Sequence, residues 1–249
     1  MSRRGRQQRP ASGDDVVAGR NPVVEALRAG VPAKTLYVAD AGGERVAEAV
    51  RSAQASGVTV RRSTRDELER LAGGVPHQGV VLTARRYAYV DPDELTGGVI
   101  IALDGVTDPQ NLGAVIRSAA AFGASGVVLP QRRSAGVTPA VWKASAGTLA
   151  AVPVARAVNL TRQLAAYRDR GMFVVGLAGE ATTDIAASNL LDGPLVLAVG
   201  AEGKGLSRLV REACDELARI PIAPTAESLN AGVAAGIALY EIARARERG

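Results

Sequence analysis

Between Val99 and Ile222 the chain passes through six short, largely apolar runs: Val99–Leu103, Gly126–Leu129, Val152–Ala155, Phe173–Leu177, Leu195–Val199 and Leu217–Ile222. Most are hydrophobic at successive positions rather than alternate ones, so as strands they need cover on both faces. Stretches of helical period separate them, near Leu112–Phe122, Pro139–Leu149, Leu160–Arg170, Ser207–Cys214 and Leu229–Arg246. The alternation predicts an α/β domain over residues 99–249, built on a parallel sheet with helices on both sides. In such sheets ligands collect beyond the carboxyl ends of the strands, which selects the loops Asp104–Asn111, Gly200–Gly205 and Ala223–Asn230.

The preceding chain reads differently. Residues 1–16 are polar, Arg-rich and without period, and predict a disordered basic tail, with or without phosphate contacts. Residues 17–86 alternate helix and strand on a smaller scale: Pro22–Ala29, Leu36–Val38, Glu44–Ser56, Val58–Arg61, Arg65–Ala72 and Gly79–Ala84. Residues 87–98, with aromatic, Pro and Gly positions and no period, read as a linker.

The residue inventory removes several chemistries. One cysteine, Cys214, and one histidine, His77, supply neither a disulfide nor a Cys/His metal site. His77 has no Gly-x-Ser-x-Gly turn to serve, which argues against an acyl-transfer triad. No run approaches the roughly 18 apolar residues of a membrane span, and no apolar segment backs the basic N-terminus as in a secretory signal. A soluble, cytoplasmic protein is expected. A net charge of +5 makes an anionic partner plausible, nucleic acid above all.

Each of the three loops has a plain structural reading and a functional one. In "DPQNLGAVIRSA" Asn111 is placed to cap a helix. Arg117 lies opposite the apolar stripe Leu112, Val115, Ile116 and Ala119, on a face of Gly113, Ala114 and Ala121 that admits a close backbone approach. It is either solvated or part of a contact. In "LAVGAEGKGLSR" Gly200, Gly203 and Gly205 match neither the phosphate loop nor the dinucleotide fingerprint, leaving a small adenosine-like ligand read by backbone. Glu202 is a first-turn helix charge or a site carboxylate. In "IPIAPTAESLNAGVAAG" Ser228 and Asn230 start a helix, and Ser228 is a natural N-cap.

Taken together and in this order, the three motifs resemble those of the SpoU/TrmH family of RNA 2′-O-methyltransferases, most of all the branch that methylates guanosine in 23S rRNA. Residues 17–86 look like the small RNA-binding domain that accompanies ribosomal-RNA members. The resemblance implies a catalytic domain with a deep trefoil knot at its C-terminal end (the SPOUT fold), S-adenosyl-L-methionine as cofactor, a homodimer, RNA as partner and no metal. It assigns Asn111, Arg117, Glu202, Ser228 and Asn230 as catalytic, and places the cofactor against the backbone at Gly200, Gly205, Ile220 and Leu229. The family brings a proposal that the arginine acts as general base; a guanidinium pKa above about 12 makes a phosphate-anchoring and charge-stabilising Arg117 less demanding. Ala231 and Gly232 stand where a bulkier residue and a serine are expected, which predicts looser helix packing there.

Overall fold

The computed structural model describes residues 14–39 and 42–248. Two compact units are present: one holds the described residues through Tyr87 with Thr138–Lys143, the other Ala88–Val137 with Ala144 onward. Residues 1–13 of the predicted tail lie outside the described residues.

The first unit contains β1 (Asp15–Ala18), α1 (Arg20–Arg28), β2 (Ala33–Val38), α2 (Glu44–Ala55), β3 (Thr59–Arg62), α3 (Arg65–Ala72) and β4 (Val80–Ala84). Its sheet runs β1-β4-β2-β3, antiparallel except for the β2–β3 pair. The order follows from burial: β4 is buried at all five positions, so it lies inside, while the polar β3 takes an edge. Thr64 caps α3 by accepting from the Glu67 amide, and Gly73, in the left-handed region, closes it. Strand β1 corrects the C-terminal end of the expected tail, since Asp15 and Val16 pair with β4.

After β4 the chain forms, in order, β5 (Val99–Asp104), α4 (Pro109–Ala121), β6 (Gly126–Pro130), α5 (Pro139–Ala144), β7 (Val154–Ala157), α6 (Leu160–Asp169), β8 (Phe173–Leu177), β9 (Thr183–Asp184), β10 (Leu195–Gly200), α7 (Arg208–Glu212), β11 (Glu216–Arg219) and α8 (Ala231–Arg246); α5 through Lys143 belongs to the first unit, the others to the second unit. Its seven strands are all parallel, in the order β7-β6-β5-β10-β8-β11-β9. The central pair β5 and β10 is the most apolar, and Val99–Leu103 and Leu195–Val199 are buried throughout. The last predicted strand ends early: beyond Arg219, Ile220–Ile222 carry no ladder. Among the described residues no helix is long and apolar enough to cross a membrane.

Two expectations are corrected here. Of the stretch read as a linker, Ala88 onward is part of the second unit. Val90 pairs with Ala155, Leu95 is buried, and the Tyr167 hydroxyl donates to the Pro92 carbonyl at 2.8 Å. Burial pushes that phenol up to about 12. The small-residue face of α4 is filled from within the chain: Gly113 lies under Ala144 and Ser145, and a Cβ on Gly232 would stand 2.8 Å from that of Ala114. Gly232 therefore tightens the packing of α8 on α4 instead of loosening it.

Candidate functional site

The site begins where two neighbouring parallel strands end. Gly200 of β10 lies opposite Asp104 of β5, so the first and second loops leave the sheet side by side. Asp108, not Asn111, caps α4, accepting from the Gln110 amide at 2.9 Å with Pro109 in the first helical position. Asn111 then sits inside the first turn, 7 % exposed, with its carboxamide free for another partner.

That partner is Glu202. The loop Ala201–Gly205 is a tight turn closed by the Gly205 amide donating to the Ala201 carbonyl at 2.8 Å. A side chain on Gly200 would overlap the Gly205 carbonyl, so glycine is the residue that lets the chain fold back there. Glu202 stands on this turn rather than in a helix, and its Oε1 accepts from Asn111 Nδ2 at 2.8 Å, from Asn230 Nδ2 and from the Ala231 amide at 3.3 Å. Asn230, not Ser228, caps α8: its Oδ1 accepts from the Gly232 and Val233 amides at 3.0 and 3.2 Å. Its Nδ2 also donates to Asn111 Oδ1 at 2.8 Å. Three residues from three loops thus form one closed clasp, with both polar ends of each asparagine engaged or directed into it.

On one side of the clasp lies a cavity of about 380 Å³. Gly200, Gly205, Ile220 and Leu229 line it together with Glu202 and Ser228. The structure therefore gathers the four predicted backbone positions and two of the predicted side chains on one cavity. Among the described residues the backbone amides of Glu227, Ser228 and Leu229 make no hydrogen bond. Sequence reasoning missed the Leu177–Glu180 segment, which also lines this cavity because β8 lies next to β10. The carboxyl-end rule would have selected it had the strand order been known. Glu180 pairs with Arg211; a hydrogen bond from its own backbone amide, and then that guanidinium, hold its carboxyl below the usual range.

On the other side is a wider cleft of about 670 Å³, reached by Asn111 and Glu202 and lined by Asp104, Asp108, Arg132, Arg133 and Lys204 among others. Arg117 faces neither cavity. It is exposed, without a hydrogen-bond or ion-pair partner among the described residues, and lines a shallow groove with Ser118, Asn230, Val233, Ile237 and Tyr240. Of the two readings of Arg117, solvated or part of a contact, the single chain shows the first. The groove nevertheless brings it beside Asn230 of the clasp. Among the described residues no group of three His, Cys, Asp or Glu side chains could hold a metal ion.

An all-parallel domain with its loop site at the carboxyl ends of the central strands, preceded by a small mixed-sheet unit, corresponds to two known families of domain. Residues 98–240 match the SpoU rRNA methylase family, and residues 16–90 match the RNA 2′-O ribose methyltransferase substrate-binding family. A protein of Mycobacterium avium named an uncharacterized tRNA/rRNA methyltransferase is 51 % identical over 93 % of this chain and 78 % of its own length. Its Mycobacterium tuberculosis H37Rv counterpart is 49 % identical over 98 % and 80 %. Among solved structures, the SpoU methyltransferase AviRb from Streptomyces viridochromogenes, in complex with AdoMet, superposes with a TM-score of 0.71 at 29 % identity, covering 96 % of this chain and 92 % of that one. An AdoMet-bound rRNA methyltransferase from Sinorhizobium meliloti gives 0.65 at 31 %, covering 93 % and 87 %. The chain belongs to the SpoU family of RNA methyltransferases.

Proposed function

We propose that this protein methylates a ribose 2′-hydroxyl of RNA, most specifically a guanosine of 23S rRNA, and that it works in the cytoplasm as a homodimer whose C-terminal segment forms a deep trefoil knot. The observation that carries this reading is the Asn111–Glu202–Asn230 clasp, which stands between a cofactor-sized cavity and an open polar cleft.

The cofactor is S-adenosyl-L-methionine, which supplies a methyl group already activated by its sulfonium. The first cavity fits such a group: Leu177, Val199, Ile220 and Leu229 offer apolar walls, the free amides at 227–229 offer donors, and the exposed carboxylate of Glu227 suits a cationic ligand, while Glu180 is paired with Arg211 and Glu202 with the clasp. A ribose hydroxyl is a weak nucleophile, so positioning and charge stabilisation carry the step. Asn111, Glu202 and Asn230 hold the three loops in register and Ser228 offers a hydroxyl at the cavity, while Arg117 anchors a phosphate and stabilises negative charge developing at the ribose. The exposed Val233, Ile237 and Tyr240 beside Arg117 provide the dimer surface, which would place that arginine under a second copy.

The test is transfer of a tritiated methyl group to rRNA from cells lacking the gene, followed by mapping of the modified nucleotide. The wild-type chain is expected to label one 2′-O position, and Arg117→Ala to lose roughly a hundredfold or more in rate. Undiminished transfer by Arg117→Ala overturns its assignment. Label on a base instead of a ribose overturns the 2′-O reading.

A further inference from the structure

The open cleft carries a feature that lies mostly outside the three motifs. The loop after β6 places Arg132 and Arg133 on its wall, and Lys204 approaches from the glycine turn. All three side chains are exposed, and none has a hydrogen-bond or ion-pair partner among the described residues. The cleft's three carboxylates are differently placed. Asp104 accepts from the Ser207 amide at 2.6 Å, Asp108 from the Gln110 amide at 2.9 Å, and Glu202 is the hub of the clasp. The acids are thus occupied by amides of their own fold, while the cations face the opening unpaired.

The loop is also held in place. The Gln131 amide donates to the Ala157 carbonyl and the Ala135 amide to the Val106 carbonyl, each at 2.8 Å, and the second of these ties the loop to the Asp104–Asn111 segment. Between these pins Arg133 has φ 59°, in the left-handed region where an arginine costs about 1 kcal/mol and glycine almost nothing. The cleft wall thus presents two adjacent arginines on a turn whose backbone is fixed at both ends.

We infer that Arg132, Arg133 and Lys204 form a phosphate clamp that grips the RNA backbone flanking the methylated ribose, separate from the role given to Arg117. Guanidinium forks match phosphate oxygens in pairs, and two adjacent arginines on a fixed turn suit consecutive phosphates. Such contacts position the strand without reading its bases. The inference rests on the RNA methyltransferase reading for its ligand.

The experiment compares wild-type protein, the double variant Arg132→Gln/Arg133→Gln, and Arg162→Gln as a single-charge control outside the cleft. Binding to an unmodified 23S rRNA transcript is measured across a salt series, with S-adenosyl-L-methionine binding by calorimetry as the check of fold. The double variant is expected to bind RNA at least about tenfold more weakly and to lower the slope of log affinity against log salt by about two, with cofactor affinity unchanged. Under turnover its KM for RNA rises by the same factor while kcat stays within about threefold. Arg162→Gln should move the slope by less than half as much. Unchanged affinity and slope in the double variant overturn the clamp, as does a wild-type chain that binds no RNA. A wild-type chain that transfers no methyl, yet loses salt-dependent binding in the double variant, keeps the clamp and sinks the methyltransferase reading.

Discussion

Asn111 and Asn230 each occupy a helix start, yet only Asn230 is a cap. In "DPQN" both Asp108 and Asn111 can cap, and Pro109 decides between them, because proline is favoured at the first helical position and so marks the residue before it. Releasing Asn111 from capping is what makes it available to Glu202 at 2.8 Å. Gly113, two residues on, depends on having no side chain: a Cβ there would overlap Ala144 and come within 3.0 Å of the Ser145 nitrogen. Gly113→Ala is therefore expected to cost about 2 kcal/mol through overpacking, lowering the thermal midpoint by roughly 4–8 °C in a chain of this size. A calorimetric midpoint equal to that of wild type would show that α4 can shift away without loss.

At the scale of elements, α8 is held at both ends by different chemistry. Its N-terminus is capped by Asn230, and its last turn is fastened by Arg246, which donates through Nε to the Leu191 carbonyl at 3.0 Å and through its terminal nitrogen to the Gly193 and Gly98 carbonyls. Arg246→Ala removes charged donors from three carbonyls at a cost of about 2 kcal/mol. Faster amide exchange confined to Ile242–Glu247 is the expected signature; unaltered exchange there would mean that water replaces the guanidinium without penalty. The elements of the second unit were largely legible from their apolar runs, because a strand such as Val99–Leu103, buried on both faces, leaves little choice. What could not be read was their order. Nothing local to Phe173–Leu177 says that it lies between β10 and β11, so the contribution of Leu177–Glu180 to the first cavity stayed hidden. The clasp was legible in membership but not in geometry, since the caps of α4 and α8 are Asp108 and Asn230, three and two residues from the expected Asn111 and Ser228.

For the molecule as a whole, the proposed dimer has a direct readout. Val233, Ile237 and Tyr240 stand at four- and three-residue spacings along one exposed side of α8, and a charge there opposes association. Ile237→Asp should convert a species of twice 25.6 kDa into one of 25.6 kDa in sedimentation velocity, with methyl transfer falling alongside. A wild-type chain that sediments as a monomer while fully active would remove the dimer and return Arg117 to solvent. The clasp also has a consequence in time. Its members are separated by 91 and 119 positions, and the strands beneath it, β5 and β10, are joined across a comparable length of chain. Contacts so distant in sequence form late, after the loops between them have closed. Because synthesis proceeds from the N-terminus, the small first unit can fold while the partners of Asn111 do not yet exist. The unit that matches the substrate-binding family can thus fold before the clasp closes, because Asn230 is the last of the three clasp residues to be synthesised.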